Sequence, residues 1–304
     1  MSTAQKIGIP ESQLTTWSHQ GAVQTSSTTY TSIKAALDGG TRISSKDWYS
    51  FLQGSYVNAT NIRGDSDVDV VCRLDSTFYR DLNWLTQDDR ALYESAFSGA
   101  SYGFEEFKRD VTADLKDYYG ERLVVPGDNA IWVKAANGRL NADVIVCCQY
   151  RLYRSFRSTT VQDYIEGITF WRSDGTQIIN YPRQHLSACT QKHKVTNEWF
   201  KPVVRIVKNI KSRMIEDRLL GDDVAPSYFV EGLLWNAPKE CYGGSFSDSI
   251  VSVYNHLINS TDAQWDKWIC PNGVYYLFGN RPEQWTKQKC RTFLQAFKTY
   301  WENY

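Results

Sequence analysis

The stretch GSYVNATNIRGDSDVDV, residues 54–70, carries most of what the sequence says about the fold. It lies between a predicted short strand, Trp48 to Gln53, and a second apolar run, Val68 to Leu74. Gly54 and Ser55 come directly after the first strand and are expected to open a helix. Backbone N–H groups at such a helix start, together with a serine hydroxyl, are suited to hold a phosphate group.

Two aspartates mark the start of the second apolar run. Asp67 and Asp69 are separated by one residue, and strand side chains alternate, so both carboxylates project to one face while Val68 and Val70 project into the core. Two like charges at this spacing repel each other, and a divalent cation between them removes that cost. The alternative is that both are solvent-facing residues of an edge strand, because the pattern Asp-x-Asp alone is a weak signal.

A third carboxylate is found in LNADVIVC, residues 140–147. Asp143 precedes apolar residues on a predicted strand, where an acidic group is costly unless it faces a cleft or binds a metal. Three aspartates on neighbouring strands suit two Mg²⁺ ions about 4 Å apart, one activating a hydroxyl and the other binding pyrophosphate. The sequence therefore predicts a magnesium site made by Asp67, Asp69 and Asp143, at which Mn²⁺ could replace Mg²⁺.

Hydrophobic periodicity predicts a mixed first half and a helical second half. Turns at Asn137-Gly138 and Asp174-Gly175 predict two β-hairpins. The other predicted elements are helices at 26–38, 81–97 and 103–119, strands at 130–135, 140–147, 167–171 and 177–181, and helices at 197–216, 228–235, 247–258 and 286–301. These elements predict an α+β protein with a mixed sheet in a first lobe, residues 1–190, and a mostly helical second lobe, residues 191–304. An N-terminal helix of the first lobe could pack on the second.

Composition argues against several classes of protein. The 304 residues include 34 Lys+Arg and 34 Asp+Glu, so the formal net charge is zero, whereas chains that bind long DNA or RNA usually have a basic excess. No apolar run approaches a membrane span, and the first residues show no secretory signal. Seven cysteines without a CxxC pair form a poor disulfide framework, and Cys189 and His193 have a spacing compatible with a metal but no second pair nearby. We expect a soluble, intracellular globular protein.

The GS pair, the Asp-x-Asp pair and the later aspartate together resemble the DNA polymerase β-like nucleotidyltransferase superfamily. The extended pattern GSYxxxTxxxxxSDxDV, in which Ser66 precedes the first aspartate, is similar to that of the bacterial CD-NTases. These relatives of cyclic GMP-AMP synthase make nucleotide second messengers in anti-phage (CBASS) defence. NYPRQH at 180–185, RIVKNIK at 205–211 and PSYFVEGLLWN at 226–236 also resemble that family. The resemblance implies a polymerase-β-like fold with its active site in the cleft between the lobes.

The resemblance implies roles for the matched residues of the first lobe. Asp67, Asp69 and Asp143 would hold the two Mg²⁺ ions, with Asp143 also near the attacking ribose hydroxyl. Gly54 and Ser55 would contact the triphosphate of the donor nucleotide.

Three residues of the second lobe are implied in nucleotide binding. Lys208 resembles the lysine that reaches the triphosphate, and Lys211, about one turn later, is an alternative. Either lysine could instead lie on the solvated face of a helix. Ser227 and Tyr228 resemble a pair in which the serine binds phosphate and the tyrosine ring stacks on a base. Ser227 is also expected to cap the following helix, and Tyr228 could instead belong to the core.

Asn180 is the candidate for base selection. In the family it resembles, an asparagine near the base pocket favours a pyrimidine, because its amide can pair with a uracil edge. The alternative is an asparagine that enters a loop before Pro182. His185 and His193 are expected to be structural or surface histidines, not catalytic bases.

The resemblance implies a Mg²⁺-dependent nucleotidyltransferase that joins NTPs into a cyclic di- or trinucleotide and releases pyrophosphate. The alternative is a polymerase-β-like enzyme that transfers NMP to an RNA, a protein or a small molecule. Expected partners are NTP substrates, regulatory defence proteins and an effector that binds the product, with neither long nucleic acid nor membrane. We expect a monomer. The bases, ring size, linkage and activation mechanism stay open at this point.

Overall fold

A computed structural model describes residues 8–21, 24–62 and 67–304, and Ser66 of the motif lies outside them. Their contacts divide the chain into two units. The sheet unit contains the described residues 24–53 and 67–182, and the helical unit contains 8–21, 54–62 and 183–304. The N-terminal residues and the GS segment thus belong to the helical unit, whereas the sequence predicts a single boundary after residue 190.

Helices and strands alternate in the first half of the chain, and helices dominate the second. The strands are β1 (Trp48–Leu52), β2 (Val68–Asp81), β3 (Val124–Pro126), β4 (Ile131–Val133), β5 (Ala142–Ser158), β6 (Val161–Trp171) and β7 (Gln177–Asn180). The α-helices are α1 (Glu11–Ser18), α2 (Gln24–Asp38), α3 (Gln87–Ala96), α4 (Phe104–Tyr119), α5 (Pro182–Val195), α6 (Phe200–Glu216), α7 (Ser227–Trp235), α8 (Phe246–Asn259), α9 (Asp262–Trp265) and α10 (Lys287–Asn303). The predicted α+β class with a mixed sheet is confirmed.

The sheet of the sheet unit is mixed because one of its pairings is parallel. Its strands run in the order β1-β2-β5-β4-β3, and β6 pairs with both β5 and β7. Strands β2 and β5 are parallel, whereas the other pairs are antiparallel. Both parallel strands begin with apolar residues that are fully buried, among them Val68, Val70 and Val144. Burial on this scale is typical of strands at the centre of a sheet.

Both predicted hairpins are confirmed. Asn137 and Gly138 have φ angles of 52° and 80°, and the N–H of Arg139 donates to the carbonyl of Ala136 at 3.0 Å. Two successive left-handed residues are what a tight hairpin turn requires. At the second hairpin Gly175 has a φ of 82° and joins β6 to β7.

The helical unit is built around α6. The predicted apolar stripe of this helix is confirmed, since all five of its members are buried: Phe200, Val203, Val204, Val207 and Ile210. Neighbouring helices α1, α7, α8 and α10 pack on it and share one hydrophobic core. None of the described helices is both long and apolar enough to cross a membrane.

The helix predicted at 81–97 is shorter than expected. Strand β2 continues to Asp81, which pairs with Leu152 of β5, so the segment starts in the sheet. Helix α3 begins only after Thr86, whose side chain accepts the N–H of Asp89 as an N-cap. The end of β2 and a loop at residues 82–86 thus replace the first turns of the predicted helix.

Candidate active site

Two of the predicted metal ligands lie side by side on the central parallel strands. Asp69 of β2 is the direct partner of Asp143 of β5 in the sheet. The register is set where the strands begin, because the N–H of Val68 donates to the carbonyl of Asn141 at 3.0 Å. Both aspartates are half-buried, between fully buried apolar neighbours. The prediction that these aspartates lie on neighbouring strands is confirmed.

Asp67 lies one residue before β2 and is exposed. Burial raises the pKa of Asp143, and the negative charge of Asp67 raises it further. The electrostatic effect requires that the two carboxylates are near each other. The three predicted carboxylates are therefore brought to the same end of β2 and β5, where their negative charges oppose one another.

These carboxylates fit a divalent cation by their chemistry. Carboxylate oxygens are the ligands that Mg²⁺ prefers, and a cation would relieve the repulsion that raises the pKa of Asp143. Within the described part of the chain, the one set of three donor side chains with ligand atoms all within 4.8 Å lies in the helical unit. That set consists of His185, Cys189 and Glu231.

The GS segment forms one isolated turn, so the predicted helix at Gly54 is wrong. Gly54 has a φ of 75°, and the N–H of Thr60 donates to the carbonyl of Ser55 at 2.8 Å. Ala59 closes the turn in the left-handed conformation, with a φ of 54°. The N–H of Ala59 donates to the carbonyl of Tyr56, and this pair of bonds is the arrangement that ends helices. Residues 54–60, which we call the GS turn, cannot continue as a helix for this reason.

Two cationic side chains of α6 bind the end of the GS turn. The guanidinium of Arg205 donates to the carbonyls of Ala59 and of Ser18, and burial lowers its pKa to about 10. The ammonium of Lys208 donates to the carbonyl of Thr60 at 3.0 Å, and the side chain is only 1% exposed. The alternative of a solvated Lys208 is therefore wrong. The predicted role of Lys208 at a triphosphate stays a prediction.

A buried glutamate of α7 binds the same turn from another side. Glu231 is 3% exposed, and its carboxylate accepts hydrogen bonds from Asn58 Nδ2 at 3.0 Å and from the hydroxyl of Thr60. The other partner is His185 Nε2, at 2.7 Å from Oε2. Burial raises the pKa of Glu231, but the hydrogen bond and charge of His185 outweigh it and hold the pKa below its ordinary value. We call Glu231, His185, Asn58 and Thr60 the Glu231 cluster.

The Glu231 cluster does not fit a metal ion, although Cys189 also lies beside it. The Cys189 sulfur is 3.6 Å from His185 Nε2, and the three donor atoms of His185, Cys189 and Glu231 lie within 4.8 Å. Tetrahedral zinc ligands at about 2.0–2.1 Å would stand roughly 3.3 Å apart. The separation of 2.7 Å between His185 Nε2 and the carboxylate fits a hydrogen bond instead. His185 is thus structural, as its sequence context predicts.

Ser227 and Tyr228 open helix α7. Ser227 is its first residue and Pro226 is the N-cap, with no side-chain hydrogen bond, so the prediction that Ser227 caps the helix is wrong. The extended ψ of 153° at Pro226 ends the loop one residue earlier than expected. The ring of Tyr228 stacks on those of His185 at 4.5 Å and Trp285 at 5.6 Å between centroids.

Asn180 is the last residue of β7 and pairs with Ile168 of β6. Its backbone approaches β6 closely, since a Cβ at Gly167 would lie 2.7 Å from the carbonyl oxygen of Asn180. The position of Asn180 is therefore set by the sheet, and glycine is needed at position 167, next to its partner Ile168. Asn180 ends the strand directly before the short connection to α5, so the alternative of an asparagine that enters a loop stays open.

The predicted residues therefore form two groups. Asp67, Asp69, Asp143 and Asn180 belong to the sheet unit, whereas Gly54, Ser55, Lys208, Ser227 and Tyr228 belong to the helical unit. Sequence reasoning missed Glu231, Arg205, Asn58 and Thr60 as the side chains that hold the GS turn. One signal was available: Glu231 is the single charge in the apolar run SYFVEGLLW.

Comparisons with known proteins agree with this architecture. Residues 187–302 match the family described as cGAS/DncV-like nucleotidyltransferase C-terminal helical domain. The chain is 44% identical to the cyclic UMP-AMP synthase of Rhodothermus marinus over 96% of its own length and 98% of that protein. It is 33% identical to the cyclic dipurine nucleotide synthase of Elizabethkingia meningoseptica, over 97% of this chain and 99% of that one.

Solved structures show the same likeness. The structure of the Rhodothermus marinus CdnE c-UMP-AMP synthase with Apcpp and Upnpp superimposes with a TM-score of 0.85, at 42% identity and over 97% of each chain. The Elizabethkingia meningoseptica CdnE synthase with GTP and Apcpp gives a TM-score of 0.76 at 30% identity, covering 96% of this chain and 98% of that one.

The fold and the paired strand aspartates define a polymerase-β-like nucleotidyltransferase. The chain belongs to the CD-NTases, the bacterial relatives of cyclic GMP-AMP synthase. It is an enzyme that uses NTPs to synthesise cyclic oligonucleotide second messengers.

Proposed function

We propose that this enzyme joins ATP and UTP into a cyclic dinucleotide, with Mg²⁺ held by Asp67, Asp69 and Asp143. The pairing of Asp69 with Asp143 on parallel strands is the observation that carries the metal assignment. Likeness to a cyclic UMP-AMP synthase at 44% identity supports the choice of bases. Mn²⁺ is proposed as a substitute ion.

The carboxylates act by positioning and by charge. When bound, the cations would neutralise the triphosphate and lower the pKa of the attacking ribose hydroxyl. Asp69 and Asp143, which are partners on two adjacent strands, would hold the ions together with Asp67. The hydroxyl oxygen forms a bond to the α-phosphorus, the bond to the bridging oxygen breaks, and pyrophosphate leaves. The hydroxyl proton passes to a carboxylate oxygen of Asp143. A second such step on the linear intermediate closes the ring.

The helical unit would bind the donor nucleotide. Gly54 and Ser55 begin the GS turn, where a glycine with positive φ lets the backbone come close to a phosphate. Ser227, at the first position of α7, offers a hydroxyl at the positive end of a helix dipole. Tyr228, whose ring stacks on those of His185 and Trp285, would contribute its aromatic ring to binding of a base. Lys208 would add positive charge behind the turn.

The central experiment is incubation of the purified enzyme with Mg²⁺ and all four NTPs, followed by phosphatase treatment and mass spectrometry. We expect a phosphatase-resistant cyclic dinucleotide that contains one uracil and one adenine. A cyclic product without uracil would contradict the base assignment and leave the reaction class intact. Turnover that required added RNA or protein would instead favour transfer of NMP to an acceptor.

Asn180 is proposed to favour uracil by pairing with its edge. Replacing Asn180 with serine should lower the preference for UTP over other NTPs by about 10-fold, the value of one good hydrogen bond, with less effect on total turnover. Asn129→Ser is the matched control, because Asn129 is an exposed asparagine of the same unit. Equal base preference in Asn180→Ser and in the control would rule Asn180 out.

The biological setting follows from the proposed product. We propose that the enzyme acts in the bacterial cytoplasm, where NTPs are available, as a signalling enzyme of anti-phage defence. An effector protein would bind the cyclic product, and regulatory defence proteins would control its synthesis. Lysates of phage-infected and uninfected cells, compared by mass spectrometry for the cyclic dinucleotide, test this setting.

A further inference from the structure

The Glu231 cluster connects two elements that are distant in sequence. Asn58 and Thr60 belong to the GS turn, and both donate to the carboxylate of Glu231 across 173 and 171 residues. Within the turn, the N–H of Asn58 donates to the carbonyl of Gly54, and that of Thr60 donates to the carbonyl of Ser55. Each bond to Glu231 therefore fixes a residue whose backbone holds Gly54 or Ser55.

The second connection runs through His185. Its Nε2 lies 2.7 Å from the carboxylate of Glu231, and its ring stacks on Tyr228 with a centroid distance of 4.5 Å and an interplanar angle of 25°. The hydroxyl of Tyr228 accepts from Asn272 Nδ2 at 3.2 Å, which fixes the other end of the ring. A chain of direct contacts thus runs from the GS turn through Glu231 and His185 to Tyr228.

We propose that Glu231 and His185 form a positioning pair that holds the GS turn and the Tyr228 ring in one fixed arrangement for binding the donor NTP. This inference rests on the proposed roles of Gly54, Ser55 and Tyr228 in nucleotide binding. Neither member of the pair is a catalytic residue, because both are buried and Glu231 is occupied by hydrogen bonds from the protein.

The chemistry of the site requires a carboxylate in place of an amide. Three donors converge on the two oxygens of Glu231: Asn58 Nδ2, the Thr60 hydroxyl and His185 Nε2. A glutamine has only one acceptor oxygen, so its NH₂ group would face at least one of these donors. The positive charge of Lys208, which binds the same turn, also favours an anion here. Glu231→Gln therefore disturbs the pair with almost no change in side-chain volume.

The test is the affinity of Glu231→Gln for a non-hydrolysable ATP analogue, measured together with KM and kcat for NTPs. We expect Kd and KM to rise roughly 10- to 100-fold, the usual effect of removing a residue that orients ligand-binding groups, while kcat changes much less. A fall in kcat at unchanged KM and Kd would contradict the proposal.

Ser249→Ala is the matched control. Ser249 is fully buried in the same unit, and its hydroxyl makes two hydrogen bonds with Gly243, yet it has no bond to the GS turn or to Tyr228. We expect this variant to lower Tm without changing KM or Kd. If Glu231→Gln behaved in the same way as Ser249→Ala, Glu231 would be a purely structural residue and the proposal would be overturned.

Thr60→Val keeps the test decisive if Glu231→Gln does not fold. It removes one donor to Glu231 and preserves the shape of the side chain, so Kd should rise by a smaller factor in the same direction. In the double variant the two effects should combine to less than their product, because both act through one contact. An unchanged Kd in Thr60→Val would overturn the proposal.

The outcomes also separate this inference from the proposed function. If the wild type binds the ATP analogue but forms no cyclic product, the proposed function fails, and a weaker affinity of Glu231→Gln still supports the positioning pair. If the wild type forms the product and Glu231→Gln has wild-type KM and Kd, the positioning pair fails and the proposed function stands.

Discussion

A carboxylate in each unit lies among apolar residues, and the two have opposite surroundings. Asp143 of the sheet unit is half-buried, and both burial and the charge of Asp67 raise its pKa. Glu231 of the helical unit is buried more deeply; burial raises its pKa too, but hydrogen bonding to His185 brings the pKa below the ordinary value. The same functional group is thus destabilised as an anion in one unit and stabilised in the other.

The difference indicates what each carboxylate is for. An anion whose charge is opposed by its neighbours gains most from a cation, so the surroundings of Asp143 support the proposed metal site. An anion that already accepts several hydrogen bonds gains little from a cation. The present partners of Glu231 stabilise its charge, and through them Glu231 holds the GS turn. Pairs of acids whose surroundings move their pKa values apart commonly have different roles in one enzyme.

The largest loss of activity is expected from variants of the sheet-unit aspartates, whose negative charges repel one another. The double variant Asp67→Asn with Asp69→Asn should reduce product formation by more than about 10³-fold, because the ligands that hold the cations lose their charge. Product is measured by mass spectrometry after phosphatase treatment, and folding by circular dichroism. Unchanged activity in the folded double variant would contradict the metal assignment.

Removal of the Glu231 carboxylate, which accepts three hydrogen bonds, should lower the free energy of unfolding. Glu231→Ala leaves three donors without their acceptor, and we expect a loss of about 3–5 kcal/mol in the free energy of unfolding. Glu216→Ala is the control, since Glu216 is an exposed helical glutamate of the same unit that pairs with Arg213 and should cost less than about 0.5 kcal/mol. Urea unfolding measures both. Similar losses in the two variants would mean that Glu231 is no more than a surface charge.

The carboxylates of the sheet unit could be predicted from the sequence because their determinants are local. Alternation along a strand predicts Asp67 and Asp69 on one face, and their separation by one residue is a local property of the sequence. The position of Asp143 relative to Asp69 required one more step, the parallel pairing of β2 with β5, which the sequence pattern does not specify. The family resemblance added the roles of these residues.

The GS turn could not be predicted because its determinants are distant. A left-handed alanine such as Ala59 is rare, and no sequence signal marks it. The contacts that hold the turn come from Arg205, Lys208 and Glu231, more than 140 residues later in the chain. The GS pair predicts a helix because only short-range patterns can be read at this point of the sequence.

A smaller effect, on Tm, is expected when the negative charge of Asp143, which is repelled by Asp67, is removed. Without metal, Asp143→Asn should raise Tm by about 1–2 °C, because the variant no longer places a charge beside Asp67 in a half-buried position. Added Mg²⁺ should raise Tm of the wild type and not that of the variant, since a ligand stabilises only the state that binds it. Differential scanning calorimetry with EDTA or Mg²⁺ provides the comparison. A lower Tm of Asp143→Asn in EDTA would mean that Asp143 is a satisfied group like Glu231.

The smallest effect is a difference in pH dependence between the two acids. The pKa of Glu231 is lowered on folding, so its stabilisation is complete above the unfolded pKa of about 4.5 and is lost as pH falls through the folded pKa. The pKa of Asp143 is raised, so folding is favoured below the unfolded pKa of about 3.8, and that advantage is lost as pH rises through the folded pKa.

Urea unfolding between pH 3 and 7 in EDTA should therefore separate the two variants. The stability lost in Glu231→Gln should be constant above about pH 5 and should shrink below it, whereas the stability gained in Asp143→Asn should grow as pH rises from about 4. Parallel curves for both variants would mean that the two carboxylates have the same surroundings. Slopes of opposite sign would tie the metal site and the positioning pair to the opposite electrostatics of the two units.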